Sequence, residues 1–442
     1  MKKYLEPARE IPVKHEVDVL VVGGGPAGFS AAVNSARLGV KTMLIEQTGG
    51  VGGIATMGLM SHWTGETEGP FYNELLDKSK EREGEFYYYG ERKWGWDKII
   101  NPEKLRIVML EMIEESGAIL QLYTFACDVI MDGNNIVGVI TESKSGREAI
   151  MAKIVIDASG DGDIAAKAGA PFFMGREKDR KMQPVSVMFK VGGVDTSKAV
   201  YPGQFNDRFD LPQGELQELA EQELPHPAGH VLLYPSTLPD VVSVNMTNCT
   251  DIDGTKVEDL TTGEIICRKQ ITPIIRFLRK HVPGFENCYV ISTSAILGVR
   301  ETRHFIGEYT LTEEDILNSR FFDDWIVAKA LFHQLDVHSL TGSGLDETGM
   351  QDEFPRIASY TIPYRCFLPK KIDSLLLAGR NISGTHLAHS NFRVMPICVN
   401  MGQGVGVAAA LSVKEKVRPK DLNVQKIQKI LIECGYNLEK RY

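Results

Sequence analysis

The sequence predicts an α/β fold with a β-rich insertion, and three observations predict it. An apolar, β-branched run at residues 17–22 enters a glycine turn and then a helical pattern. The same passage from apolar strand to small-residue turn returns at 152–163 and again at 373–380. Between these returns lie short β-type segments separated by proline- and acid-bearing loops, without regular βα alternation.

The first unit reads Val17-Asp18-Val19-Leu20-Val21-Val22, then Gly23-Gly24-Gly25-Pro26-Ala27-Gly28, then a helix through Leu38. Gly23 permits the turn, Gly25 lets backbone approach a pyrophosphate, and Gly28 lets the helix pack closely on the sheet. The positive helix end and its free N–H groups then face the phosphates. Gly39 ends the helix, and residues 41–45 return as a second strand closing on Glu46, whose carboxylate is placed to accept ribose hydroxyls. Together these elements specify dinucleotide binding and a Rossmann-like domain. The glycine-dense loop at 49–58 is long for a simple connection and suits an extended cofactor, or else a plain surface turn.

Composition narrows the partners. A formal charge of −9 without a dense Lys/Arg stripe weighs against nucleic acid and favours a small-molecule partner. The seven cysteines stand singly, without the CxxC pairs of zinc or iron–sulfur sites, as expected in a reducing cytosol. No run is expected to reach the roughly 20 apolar residues of a membrane span, and charges occupy the N-terminus where a signal peptide needs an apolar core. The expectation is a cytoplasmic protein.

At the second return, Ser159-Gly160-Asp161-Gly162-Asp163 stops a strand and opens a helix, with Asp163 as the expected N-cap. At the third, Leu375-Leu376-Leu377-Ala378-Gly379-Arg380 ends a strand. A helix then begins near Pro396, and its Gly402, Gly404 and Gly406 allow close approach to another backbone or to a flat ring.

Five segments carry a family resemblance: VDVLVVGGGPAG (17–28), GGIATMG (52–58), DASGDGDIA (157–165), LGVRETRHFIGEYTLTEEDI (297–316) and LLLAGRNISGTHLAHSNFRVMPICVNMGQGVG (375–406). Over nearly its whole length the chain resembles the bacterial FAD-dependent oxidoreductases of glutathione-reductase-like FAD fold, with some similarity to the flavin portion of heterodisulfide reductase. The resemblance implies FAD, with Gly23–Gly28 and Glu46 on the ADP half, residues 52–56 along the pyrophosphate, ribityl chain or ring, backbone near Ala126 beside adenine, and Gly379 at the phosphates. It also implies that the helix near Pro396 points its N-terminus at the pyrimidine edge of the flavin. The candidate cofactor contacts are therefore Gly23, Gly25, Pro26, Ala27, Gly28, Glu46 and Gln47, then Gly52, Gly53, Ile54, Ala55, Thr56 and Ala126, and finally Ser159, Gly160, Gly379, Arg380, Pro396, Gly402 and Gln403.

The FAD-binding domain is expected to be discontinuous, residues 1–185 and 356–442, around an inserted α+β substrate domain at 186–355. Candidate catalytic residues are Arg300, His386, His389 and Arg393: an arginine fork orients a carboxylate or polarises a carbonyl, and a histidine moves the proton that accompanies hydride transfer. Residues 300–304 read equally well as a solvated helix face with internal ion pairs. His386 and His389, three apart, share a face if helical. No metal is expected, since no carboxylate or thiolate partners are evident beside them. His62 is a further candidate contact. The expected activity is two-electron transfer between FAD and a small organic substrate. The alternatives are a flavin protein that passes electrons to a protein partner, and an NAD-dependent dehydrogenase.

Overall fold

The computed structural model describes residues 2–81, 87–92 and 95–439. Its first sheet is built from β1 (Val13–Val22), β2 (Thr42–Ile45), β3 (Ile119–Gln121), β4 (Thr124–Asp132), β5 (Asn135–Ser143) and β6 (Gly146–Asp157), in the order β3-β2-β1-β6-β5-β4. The strands β3, β2, β1 and β6 run parallel, and β4, β5 and β6 form an antiparallel meander. Parallel strands covered on both faces need continuous apolar sequence. Thr42-Met43-Leu44-Ile45 meets that need, every residue buried.

Helix α1 (Pro26–Arg37) starts within the glycine turn, earlier than expected, with Pro26 in its first turn. The glycines work as expected for backbone packing. Gly23 sits at φ +98°, and a Cβ there would lie 2.4 Å from Ala158 O; one on Gly28 would lie 1.8 Å from Gly23 O. The short helix α2 (Asp163–Lys167) corrects the expected cap. Gly162, in left-handed backbone at φ 67°, is its N-cap, and Asp163 is the first helical residue. The orphan N–H groups are taken from outside the helix: Ser159 Oγ accepts from Asp163 N (3.0 Å) and Asp157 Oδ2 from Ala165 N (2.8 Å).

The insertion carries β7 (Phe189–Gly192), β8 (Leu233–Pro235), β9 (Val242–Val244) and β10 (Tyr289–Thr293), an antiparallel sheet in the order β8-β9-β7-β10. Helix α3 (Val257–His281) covers it, and Phe189, Val191, Val242, Val244, Ile274 and Leu278 share one core. The expected boundary at 355 lies too late. Phe305, Leu311, Phe322, Ile326 and Phe354 belong to the core of the first sheet. The physical reason is that Trp325–Ala330 pairs with Tyr360–Pro363, inside the returning half of the chain. Residues 303–305 are also strand, paired with 172–174, so the Arg300 segment is not a solvated helix face.

The chain returns through β11 (Leu375–Leu377), parallel to β6, then α4 (His386–Phe392) and α5 (Met395–Glu415). The register aligns Val22, Ile45 and Leu377 with Gln121 and Asp157. All of the loops read above as glycine turns therefore leave the sheet at one edge, beyond the carboxyl ends of the strands.

By length and composition α5 is apolar enough to cross a membrane, contrary to expectation, but 94% of its apolar window is buried within the protein. Its glycines answer the choice left open by sequence: they meet backbone. A Cβ on Gly402 would lie 2.1 Å from Ala27 O, one on Gly406 2.6 Å from Ala31 O, and one on Gly404 2.5 Å from Ile326 O. Gly402→Val should therefore force α5 off α1 and lower the unfolding free energy by about 1–3 kcal/mol or more, measured by thermal and urea denaturation; an unchanged Tm would contradict this packing.

Candidate active site

A cavity of about 1030 Å³ opens at the carboxyl edge of the first sheet and continues against the insertion sheet. Gly23, Gly25, Pro26, Ala27, Glu46 and Gln47 line its near end. Ala126, Ser159, Gly160, Gly379 and Arg380 line the same end, as do Gly53 and Ile54 from the glycine loop. Val394, Met395 and Cys398 bring the start of α5 to the wall.

The Glu46 carboxylate organises this end. Its Oε2 accepts from Gly24 N (2.7 Å) and its Oε1 from Thr48 N (2.8 Å), which ties the glycine turn to the end of β2. Gly25 is the opening: a Cβ there meets no atom within 4 Å, so its surface belongs to whatever fills the cavity. Arg380 Nη1 lies 3.0 Å from Asp161 Oδ1, which also accepts from Thr302 Oγ1 (2.6 Å). Arg380 thus reaches the cavity with its charge already matched.

Other expected contacts lie elsewhere. Gly28 is spent on packing against Gly23 and Gly402 on packing against Ala27, as above. Gly52, at φ 101°, packs over the Thr56 side chain, whose hydroxyl donates to Val51 O. Ala55 is fully buried in the same turn, and Pro396 and Gln403 are buried in α5 away from the cavity wall. In each case a small or buried residue packs between elements and does not line this cavity.

The far end of the cavity holds the charged cluster. Arg300 and Arg393 both line it, as the sequence predicts, and Asp336 and His338 stand beside them. Arg393 Nη2 donates to Asp336 Oδ2 (2.8 Å) and to Asp336 O (2.9 Å). His338 Nε2 lies 3.5 Å from the same Asp336 oxygen. Burial would raise the Asp336 carboxyl, but His338, Arg393 and Arg300 outweigh it and hold the group well below the usual carboxylate range. Burial, then the Arg300 charge, pushes His338 down to about 4; burial, then His338, pushes His230 down to about 3. Both imidazoles are neutral at pH 7. Phe205 meets both edge-on, at 5.0 and 4.9 Å, and His62 stacks on Tyr234 at 4.0 Å, so His62 does reach the cavity. Asp336, His338 and His230 escaped sequence reading because they sit on irregular segments with no motif around them.

His386 and His389 do not line the cavity. They share one face of α4, but it is turned inward: His386 Nδ1 is 2.6 Å from Glu301 Oε1, His304 Nε2 is 2.7 Å from the same oxygen, and His389 meets the His304 ring edge-on at 4.9 Å. Glu301 Oε2 accepts from Gln183 N (2.9 Å). Burial would raise Glu301, but the hydrogen bonds from both histidines outweigh it and hold it ionised. Glu301, His304 and His386 have the donor types of a metal centre. At separations of 2.6–2.7 Å the two imidazoles hydrogen-bond one oxygen of the buried carboxylate. The expectation that no carboxylate stands beside His386 was wrong, because Glu301 is 85 residues away in sequence.

Comparison with known proteins identifies the family. The FAD dependent oxidoreductase family matches residues 18–431. The chain belongs to that family. It is therefore an enzyme whose cofactor is FAD, and the glycine turn, the open face of Gly25 and the carboxylate closing β2 fit the ADP portion of that group. A digeranylgeranylglycerophospholipid reductase of Picrophilus torridus is 31% identical over 163 residues, 32% of this chain and 39% of that protein. A thiamine thiazole synthase of Methanococcus vannielii is 32% identical over 157 residues, 33% of this chain and 56% of that protein. The chain thus spans about four- to six-tenths of the length of these curated relatives. A crystal structure of a geranylgeranyl bacteriochlorophyll reductase-like protein from Thermoplasma acidophilum covers 95% of this chain and 84% of its own at 16% identity, with a TM-score of 0.49.

Two measurements check the site. Gly25→Ala should leave the FAD-free Tm unchanged, since its Cβ meets nothing, and should abolish most of the Tm gain on adding FAD. The buried histidines set a pH dependence. Below the unfolded value of 6.5 the unfolded chain binds protons that His230 and His338 refuse in the fold, so stability is full above pH 6.5 and falls toward pH 4. His230→Gln should flatten that fall in urea denaturation series; an identical slope would remove His230 from the account.

Proposed function

We propose that this FAD-dependent oxidoreductase carries out two-electron transfer with a small organic substrate held at the far end of the cavity. The observation that carries the proposal is the continuity of one cavity, from the Gly25 turn and Glu46 to Arg300, Arg393 and His338. Bound FAD supplies the capacity to take up or release two electrons with hydride. The side chains of the chain do the rest. Arg393, locked by Asp336, and Arg300, donating through Nη1 to Pro184 O (2.7 Å), orient polar substrate atoms. His338, neutral and facing the cavity, takes up the proton that leaves the substrate, with Asp336 fixing the ring. Phe205, Leu232 and Tyr234 exclude water from that end.

His386 and His389 act from behind the wall in this reading: with Glu301 and His304 they anchor α4 to the segment bearing Arg300. The glutathione-reductase type of FAD domain is our inference too, supported by the parallel strands flanking β1 and by the meander that ends in β6. Neither a protein electron partner nor a nicotinamide-only enzyme has a specific observation in its favour.

The purified protein should be yellow and gain Tm with FAD, and rapid mixing with hydroxy acids, sugars, amines and nicotinamides should find a reductant of the bound FAD. Lack of flavin absorbance together with no FAD-dependent Tm gain would sink the proposal. Once a reductant is known, His338→Gln should slow flavin reduction by about 10²-fold with FAD still bound, whereas His386→Ala should act mainly on stability.

A further inference from the structure

We infer that the far end of the cavity is a carboxylate subsite, in which the Arg300 guanidinium takes the carboxylate of a small substrate whose apolar body lies among Phe205, Leu232 and Tyr234. The inference rests on the functional reading above and names its substrate class. Its first support is a charge balance. Arg300 and Arg393 are both cations, Asp336 is the anion beside them, and His338 is neutral. Asp336 is committed to Arg393 through the 2.8 Å contact. One positive charge in a water-poor wall is left over, and it belongs to Arg300.

The second support is hydrogen-bonding capacity. Among the described residues, the hydrogen bond found for the Arg300 side chain is the one from Nη1 to the neutral Pro184 carbonyl. A guanidinium has five N–H donors arranged as a fork that matches a carboxylate. The remaining donors of Arg300 are on a residue that lines the cavity. Burial, then the neighbouring Arg393, lowers its pKa to about 10, and the Asp336 carboxylate offsets only part of that. A monoanion offsets the rest; a ketone or a sugar would leave the charge unmatched, and a doubly charged phosphate would overcompensate it.

The third support is the shape of the wall. Phe205, Leu232 and Tyr234 are all buried and all line the cavity beside this cluster, so a ligand that satisfies Arg300 places its other end against apolar and ring surface. A small carboxylate with a hydrocarbon or aromatic body meets both demands.

The test titrates the FAD-loaded enzyme with acetate, benzoate and hydrocinnamate and with the three corresponding amides, reading the flavin difference spectrum and the Tm. At least one acid is expected to bind about tenfold or more tightly than its amide, the scale of a charge-assisted hydrogen-bonded pair. Arg300→Met should erase that preference with FAD retained, and Arg300→Lys should keep part of it, since a point charge lacks the fork. The inference is overturned if no acid perturbs the flavin or raises Tm, if amides bind as well as acids, or if Arg300→Met keeps the preference. The Tm series is repeated on the FAD-free chain. Failure to hold FAD counts against the functional reading, whereas a yellow protein that ignores all the acids counts against the carboxylate site alone.

Discussion

The structure depends on how closely three stretches of backbone approach one another around α1. The turn at Gly23 lies against Ala158, Gly28 lies against Gly23, and Gly402 and Gly406 of α5 lie against Ala27 and Ala31. Each approach is shorter than any side chain permits, so α1 is clamped between the first sheet and the last long helix. This clamp brings residues near 25 and residues near 395 to the same cavity wall, although most of the chain separates them. Glycine costs helix stability in isolation. Here the burial of α5 against α1 and Ile326 repays that cost, and the same burial explains why a helix apolar enough for a lipid bilayer is satisfied inside the protein.

The cavity then divides by electrostatics. At the nucleotide end, charges are matched within the protein: Arg380 by Asp161, and Glu46 by two backbone N–H groups. At the far end one guanidinium exceeds the carboxylates, and the nearby imidazoles stay neutral because protonating them would add to an already positive, poorly hydrated cluster. The two ends of the cavity therefore differ in charge: matched at the nucleotide end, net positive at the far end.

Behind the wall, Glu301 joins elements remote in sequence. It binds His304 on one side, His386 on the other and Gln183 N through its second oxygen. A buried carboxylate is costly alone, and satisfying both oxygens makes it a rigid junction between the Arg300 segment, α4 and the start of the insertion. Arg300 and Arg393 face the cavity from segments that this junction holds together.

Local sequence determined the nucleotide half. The run from Val17 to Glu46 carries its own turn, helix start and strand end, because glycine and proline restrict backbone at fixed positions and the strand pattern is short-range. Arg300 and Arg393 were also legible, as charged residues among small and apolar neighbours. Tertiary structure alone decided which glycines face a ligand and which face a backbone: Gly25 and Gly402 look alike in sequence, yet one opens on the cavity and the other sits 2.1 Å, by its missing Cβ, from Ala27 O. It likewise turned His386 and His389 inward, toward Glu301 and His304, and brought Asp336 and His338 to the cavity wall. The reason is physical: a side chain's role depends on the partners that long-range packing supplies, and the contacts from Glu301 to His386 and from Asp336 to Arg393 span 85 and 57 residues of sequence.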